Sequence, residues 1–216
     1  MGTQAATSIN NRKQITGELS GIAYIYFNGT FKNLGTLGGT SSIGADINQH
    51  SQVTGEANNP SNESHAFLYT GSMKDLGWGT GLSINNSGVV VGYSITSVSP
   101  TFQYHAAISY HGGPLQALTN YDPDQNSVAT GINESNQVVG YQGSYPHGGF
   151  VWHNGKILYL PSVDGLGGGV APEAINKLGH VTGEAESGGY GANHWHTFLY
   201  RNGKIIIFLG KGVYRK

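Results

Sequence analysis

The sequence predicts an all-β protein, a five-bladed β-propeller of four-stranded blades, on three observations. The first is composition: 35 of the 216 residues are glycine, and only 11% are charged. Glycine and asparagine reach the positive φ angles that tight turns between short strands require. The second is a unit that occurs five times along the chain. The third is that no stretch long enough for a helix carries apolar residues at the helical period.

Each unit contains an Ile-Asn dipeptide near its start, and successive dipeptides lie 38, 37, 48 and 43 residues apart. Isoleucine or valine stands six residues after each Ile, and glycine stands eight residues after it. The pattern of apolar residues around an asparagine turn predicts the first hairpin of the unit. The five pairs of Ile and Gly are Ile9 and Gly17, Ile47 and Gly55, Ile84 and Gly92, Ile132 and Gly140, and Ile175 and Gly183.

The second hairpin of each unit contains an aromatic strand. In the second unit, Phe67 and Tyr69 alternate with Ala66 and Leu68. Because successive side chains of a strand point to opposite faces, both faces of this strand are apolar, as in a sheet covered on both sides. Turns such as Asn154-Gly155 follow, and then a closing apolar strand. Two hairpins give four strands in about 40 residues, which is typical of a propeller blade.

We predict a single repeat domain. Its bounds are 1–216, with units at about 5–40, 41–80, 81–126, 127–170 and 171–216. The chain begins with the first strand of unit one and ends just after the last strand of unit five, so no strand is left over to be exchanged for ring closure. An open β-solenoid of five repeats therefore remains the alternative architecture.

The repeated motif resembles the HAF repeat family, which is named for the tripeptide seen here as His65-Ala66-Phe67. The Leu-Gly-Thr-Leu-Gly-Gly segment at 34–39 and the following Ala45–Asn48 and Val53–Gly55 segments match its other hallmark. The resemblance covers the whole chain. It implies a bacterial, extracellular or periplasmic protein, although this chain shows no signal peptide, and it provides no catalytic residues to transfer. The tripeptide and the linker each occur intact once, and the linker weakens at 76–81.

Composition excludes several classes of function. A formal net charge of −1 provides no basic surface for a nucleic-acid backbone. The absence of cysteine excludes disulfides, thiolate metal sites and cysteine nucleophiles. No apolar run is long enough to predict a membrane span. The acidic residues show no recurrent paired spacing, and no Gly-x-Ser-x-Gly motif occurs, so we expect no enzyme. We also expect a monomer without a cofactor.

Two weak metal candidates remain. Asp122, Asp124 and Asn126 place oxygen ligands at alternate positions, as at the start of a calcium loop, although the glycine and bidentate glutamate of such a loop are missing. His194 and His196 lie two residues apart and could share one strand face as ligands of zinc or copper, without an identifiable third ligand. The alternatives are an acidic turn and histidines bonded to neighbouring backbone.

The connection between the second and third strands breaks the repeat. It has about four residues in unit one, but we predict that it runs from Tyr93 to Tyr104 in unit three and from Glu184 to Trp195 in unit five. Insertions at one point of a repeat emerge on one face, which is often the binding face. The candidate ligand-binding residues are aromatic: Trp78, Tyr93, Phe102, Tyr104, Tyr141, Tyr145, Tyr190 and Trp195.

We therefore predict a non-enzymatic binding module that recognises carbohydrate or protein with these rings. An analogy of fold with tachylectin-type five-bladed lectins favours a glycan, but a fold does not by itself assign a function. One alternative is a scaffolding repeat protein with no small ligand. Another is an enzyme, which would bring titratable groups together in a central channel.

Overall fold

The computed structural model describes residues 4–97, 102–118, 125–143, 148–163, 168–187, 194–209 and 212–215. The regular secondary structure of these residues is β-strand throughout, which confirms the all-β prediction. They include no helix long and apolar enough to cross a membrane. The chain divides into two compact parts, residues 1–117 and 118–216. From here on these parts are called the first and the second unit, and the five units of the sequence are called repeats.

The first unit contains two antiparallel sheets, with strand orders β1-β2-β3-β4 and β11-β10-β9-β8-β7-β6-β5. Its strands are β1 (Gln4–Ile9), β2 (Ile15–Leu19), β3 (Ile22–Phe27), β4 (Thr30–Gly35), β5 (Ser42–Ile47), β6 (Val53–Asn58), β7 (Ser64–Tyr69), β8 (Met73–Ile84), β9 (Val90–Ser97), β10 (Gln103–Ser109) and β11 (Gln116–Ala117).

Strand β8 joins two repeats into one sheet. Its first half pairs with β7 up to Trp78, and its second half pairs with β9 from Gly79 onward. Gly77 and Gly79 adopt positive φ angles of 97° and 139°, which only glycine accepts readily and which let the strand change its partner. The corresponding linker between β4 and β5 is longer, so there the two strands are separate.

The second unit also contains two antiparallel sheets, ordered β12-β13-β14-β15 and β16-β17-β18-β19-β20. The strands are β12 (Ser127–Ile132), β13 (Val138–Gln142), β14 (Gly148–His153), β15 (Lys156–Tyr159), β16 (Val170–Ile175), β17 (Val181–Ser187), β18 (His194–Arg201), β19 (Lys204–Leu209) and β20 (Gly212–Arg215). The prediction that the chain ends just after a fourth strand of the last repeat is wrong. Strand β20 follows and pairs with β19, so β19 is not an edge strand with unpaired backbone groups.

A bulge explains the repeated glycine. In the pairing of β5 with β6, the register shifts between Gly44 and Asp46, and a Cβ atom on Gly55 would overlap the carbonyl oxygen of Ile43. The same overlap occurs between Gly17 and Ala5, Gly92 and Thr80, Gly140 and Val128, and Gly183 and Ala171. Glycine is therefore required by the close approach of a neighbouring strand.

The repeated asparagine organises a turn and ties it to the next repeat. Asn48 Oδ1 accepts hydrogen bonds from the backbone amides of His50 and Gln52, at 2.9 and 3.0 Å. Asn48 Nδ2 donates to Gln52 Oε1 over 2.6 Å and to the carbonyl oxygen of Asn85 over 2.9 Å. Asn10 and Asn133 repeat this pattern and donate to the carbonyl oxygens of Asn48 and Asn176.

The core lies between successive repeats, so the aromatic strand β7 is buried on both faces as predicted. In β7, Phe67 and Tyr69 pack in one cluster with residues of β3 to β6, and Leu37 and Met73 pack against it. Ala66 and Leu68 belong to a second cluster that includes Val90 of β9. In the second unit, Phe198 is fully buried in a cluster with residues of β13 and β16.

Candidate functional site

An exposed aromatic surface lies at one end of the strands in the first unit, where β7 and β10 begin and β9 ends. It contains Trp78, Tyr93, Phe102 and Tyr104, which we call the aromatic patch. The Tyr104 ring centroid lies 5.4 Å from that of Tyr93 and 5.8 Å from that of Phe102. Phe102 is 53% exposed, whereas the two tyrosines are half-buried. The tyrosines therefore support a ring that solvent reaches.

Trp78 extends the patch at the point where β8 changes its partner. The side chain is 38% exposed, and with Glu63, Ser64 and Ile95 it lines a hollow of about 220 Å³. Ile95 pairs with Tyr104 across β9 and β10, so it connects the hollow to the group of three aromatic rings. The patch thus combines aromatic faces with carboxylate and hydroxyl oxygens.

A polar network braces the same surface. Glu56 Oε2 accepts hydrogen bonds from Thr80 Oγ1 at 2.8 Å and from Ser64 Oγ at 3.2 Å. The Tyr93 hydroxyl lies 3.0 Å from Thr80 Oγ1 and can donate to it, because the Thr80 proton is already directed to Glu56. These bonds hold the Tyr93 ring in place.

His65 borders Trp78 and is bonded through both ring nitrogens. Its Nδ1 lies 2.9 Å from the Asp75 carboxylate, and its Nε2 lies 3.2 Å from Asn59 Nδ2. A proton on Nδ1 satisfies both contacts, since the carboxylate can only accept and the amide nitrogen can only donate. The ring centroid lies 6.5 Å from that of Trp78 in an edge arrangement, so His65 orients Trp78.

A second hollow of about 230 Å³ adjoins Glu56 and is also lined by Glu18, Ser42 and Asn58. The two glutamates occupy the position directly after the repeated glycine. That position is occupied by Glu18, Glu56, Tyr93, Tyr141 and Glu184 in the five repeats. The glutamates were not among the predicted ligand-binding residues, which were all aromatic, although this position compared across the five repeats indicates them.

The strands extend further than the sequence predicted. Strand β9 continues to Ser97 and β10 begins at Gln103, so Tyr93 and Tyr104 are strand residues, and the prediction that the connection spans them is wrong. Aromatic and β-branched residues of β9 favour the strand, which explains the extension. Trp195 likewise belongs to β18, which begins at His194.

The other predicted ligand-binding residues lie in the second unit. Tyr141 is half-buried in β13, and Trp195 is half-buried in β18, where it pairs with Glu186. Tyr145 and Tyr190 lie outside the described residues. The structure therefore brings four of the eight predicted aromatic residues together, all of them in the first unit.

The metal candidates find no third ligand within the described residues. Asp122 and Asp124 lie outside those residues, and the carbonyl oxygen of Asn126 accepts a hydrogen bond from the Gly143 amide at 2.8 Å. His194 pairs with Ser187 in the sheet, and His196 Nε2 lies 2.8 Å from the Ser187 hydroxyl. In the part of the chain that the structure describes, no group of three histidine or acidic side chains could hold a metal ion.

Comparison with known proteins adds no assignment: no protein-family model matches the chain, and no curated protein matches it. The resemblance to the HAF repeat family, and the bacterial and extracellular origin that it implies, stay predictions.

Proposed function

We propose that the protein is a non-enzymatic binding module that recognises carbohydrate at the aromatic patch. The observation that carries this proposal is the exposed Trp78 ring in a hollow that Glu63 and Ser64 also line, connected through Ile95 to Tyr104 and the exposed Phe102. Sugar rings offer C–H faces to aromatic side chains and hydroxyl donors to carboxylates, and a concave site with few well-placed polar groups suits such a ligand.

The rigidity of the patch supports this function. Tyr93 and Tyr104 lie in paired strands, and Trp78 lies at a strand junction next to the bonded His65 ring. A site on strands loses less conformational freedom on binding than a site on a loose loop. This rigidity suits a ligand as small as a sugar, because the binding free energy of such a ligand is small and could not offset the entropy cost of ordering a mobile site.

We also propose that the repeats are blades of a five-bladed β-propeller. The continuous β8 supports this architecture, because it leads from the last strand of one repeat directly into the first strand of the next. In a propeller this connection runs from the outer edge of one blade to the inner edge of its neighbour, and the residues after the repeated glycine share one end of the blades. An open solenoid remains the competing architecture.

Glycan-array screening of the purified chain, followed by calorimetry with the ligands found, tests the carbohydrate proposal. Trp78→Ala and Phe102→Ala should each weaken binding about tenfold, which corresponds to about 1.4 kcal/mol. Tyr110→Ala is the matched control, since Tyr110 is also exposed in the first unit but directly follows β10 at its other end.

Two outcomes would contradict the proposal. One is an array without signal. The other is a glycan whose affinity falls no further in Trp78→Ala and Phe102→Ala than in Tyr110→Ala. A protein partner is the second candidate, because exposed tryptophan and phenylalanine side chains also serve as anchors at protein interfaces. A specific protein ligand that is lost in the same two variants, together with a silent array, would favour it.

A further inference from the structure

A larger cleft lies at the opposite end of the strands in the first unit. It is open between the turn after β3 and the turn after β7, and its volume is about 720 Å³. That volume lies within the range of small-molecule sites. Phe27 at the end of β3 and Tyr69 at the end of β7 both line it. The aromatic patch lies at the start of β7, so the two sites are separate.

The charge of this cleft is positive. Lys32 and His50 line it, and its lining includes no aspartate or glutamate. The Lys32 Nζ atom lies 5.2 Å from the centroid of the Tyr69 ring, which holds the ammonium group over an aromatic face. Among the described residues Lys32 forms no ion pair, so its charge is available to an anionic ligand.

Gln14 contributes an oriented donor to the same cleft. It is only 8% exposed, and its Oε1 accepts hydrogen bonds from Asn10 Nδ2 and Ser51 Oγ, both at 2.8 Å. Because Asn10 Nδ2 can only donate, the Gln14 atom that faces it must be the oxygen Oε1, and this fixes the position of the Gln14 Nε2 group. Its Nε2 has no acceptor within the part of the chain that the structure describes, and Gln14 lines the cleft. This amide group therefore faces the cleft and is available to donate to water or to a ligand.

The next repeat shows that the cleft is not a necessary consequence of the scaffold. Lys74 lies opposite Leu68 in β7 and β8, as Lys32 lies opposite Ile25 in β3 and β4. There, however, the turn at Gly112 packs against the lysine: a Cβ atom on Gly112 would lie 3.1 Å from Lys74 Cδ and 3.4 Å from Leu68 Cδ2. The turn covers the place that is open beside Lys32.

We propose that this cleft binds a sugar that carries a carboxylate, of the hexuronic acid type. Lys32 pairs with the carboxylate, Gln14 Nε2 donates to a hydroxyl or ring oxygen, and Phe27, which is 40% exposed, contacts the C–H face of the ring. The inference does not depend on the aromatic patch, because the two sites share no lining residue.

Titration of the ¹⁵N-labelled chain with sodium glucuronate, observed by NMR, tests the assignment. Glucuronate should shift the Gln14 side-chain amide resonances saturably, with a dissociation constant on the order of 1 mM. Glucose, which lacks the carboxylate, should bind at least about tenfold more weakly. Sodium phosphate at the same ionic strength should fail to displace glucuronate, since it lacks the ring that Phe27 contacts.

Lys32→Met removes the charge but keeps an apolar stem over Tyr69, and it should weaken glucuronate binding about tenfold or more. Lys74→Met is the matched control and should leave the affinity unchanged. Several results would overturn the proposal: no saturable shift with glucuronate, equal affinity for glucose, displacement by phosphate at the same ionic strength, or equal losses in the two lysine variants. An NMR spectrum that is unchanged outside the cleft shows that each variant is folded. The glycan-array result tests the aromatic patch alone, so either proposal can fail without the other.

Discussion

Replacing Gly140 by alanine should destabilise the second unit strongly. The register of β12 against β13 shifts between Ala129 and Gly131, which brings the Val128 carbonyl oxygen over Gly140. A Cβ atom there would lie about 1 Å inside the 3.0 Å that real Cβ atoms keep from other heavy atoms. The carbonyl belongs to the strand ladder and cannot rotate away, and Phe150 Cζ at 2.9 Å blocks the other direction.

The expected loss is about 3 kcal/mol of unfolding free energy, because either the bulge or the ladder must move. Gly148→Ala is the matched control in the same sheet. Its Cβ would lie 3.7 Å from the nearest heavy atom, Gln142 Cγ, which is ordinary contact. That variant should be neutral or up to about 1 kcal/mol more stable.

Urea unfolding followed by circular dichroism measures both variants. With a slope of about 1–3 kcal/mol per molar urea, Gly140→Ala should lower the midpoint by about 1 M or more. If Gly140→Ala and Gly148→Ala differed by less than about 0.5 kcal/mol, the carbonyl overlap would not be the reason for the repeated glycine.

Three further substitutions test other contacts by the same unfolding assay. Asn10→Ala should cost about 2–4 kcal/mol, because the Asn10 side chain donates a hydrogen bond to the next repeat and accepts hydrogen bonds from two backbone amides of its turn. Asn11→Ala, at the exposed neighbouring position, should cost under about 0.5 kcal/mol, and equal costs would contradict the role of the asparagine turn. Ser42→Ala should cost about 1–2 kcal/mol, since its hydroxyl bridges the first two sheets through the Ala23 amide and the Gly35 carbonyl, and no measurable loss would exclude that bridge. Burial raises the pKa of Tyr24 above its usual value of 10.0, and its neutral hydroxyl donates a hydrogen bond to the Ala5 carbonyl over 3.1 Å. The neutral hydroxyl therefore stabilises the fold fully below pH 10.0, and this stabilisation is lost as the pH rises through the raised pKa. Tyr24→Phe should therefore lose less stability between about pH 8 and pH 11 than the parent chain, and an unchanged pH profile would contradict this.

The repeating part of the fold could be predicted because it depends on short-range patterns. The Ile-Asn dipeptide forms a local turn, and the alternation at Ala66, Phe67 and Leu68 needs only the two-residue period of a strand. The bulge was not predicted, although its glycine was found. A register shift depends on pairing between two strands, and no single strand carries a signal for it.

The candidate sites were harder to predict because they depend on differences in length between repeats. Trp78 lies where β8 changes its partner from β7 to β9. This junction exists only because the linker between the second and third repeats is shorter than the linker between the first and second. The cleft beside Lys32 is open, while the equivalent place beside Lys74 is covered by the turn at Gly112. Sequence periodicity shows that the two lysines occupy matching positions, but it does not show which neighbouring turn fills the space.

The position after the repeated glycine explains how one scaffold can carry different surfaces. The bulge and the glycine hold this residue at the same register position of the second strand in each hairpin, so its backbone geometry does not depend on its side chain. Glu56 and Tyr93 both occupy it, and both hydrogen-bond to Thr80 although one is charged and the other aromatic. Because the scaffold contacts are made by the glycine and the asparagine, substitutions at the next residue change the chemistry of the surface at little cost in stability. Glu56→Gln should accordingly leave the unfolding free energy within about 1 kcal/mol while weakening any ligand that donates hydrogen bonds to the carboxylate, and a large loss of stability without an effect on binding would assign Glu56 to the scaffold instead.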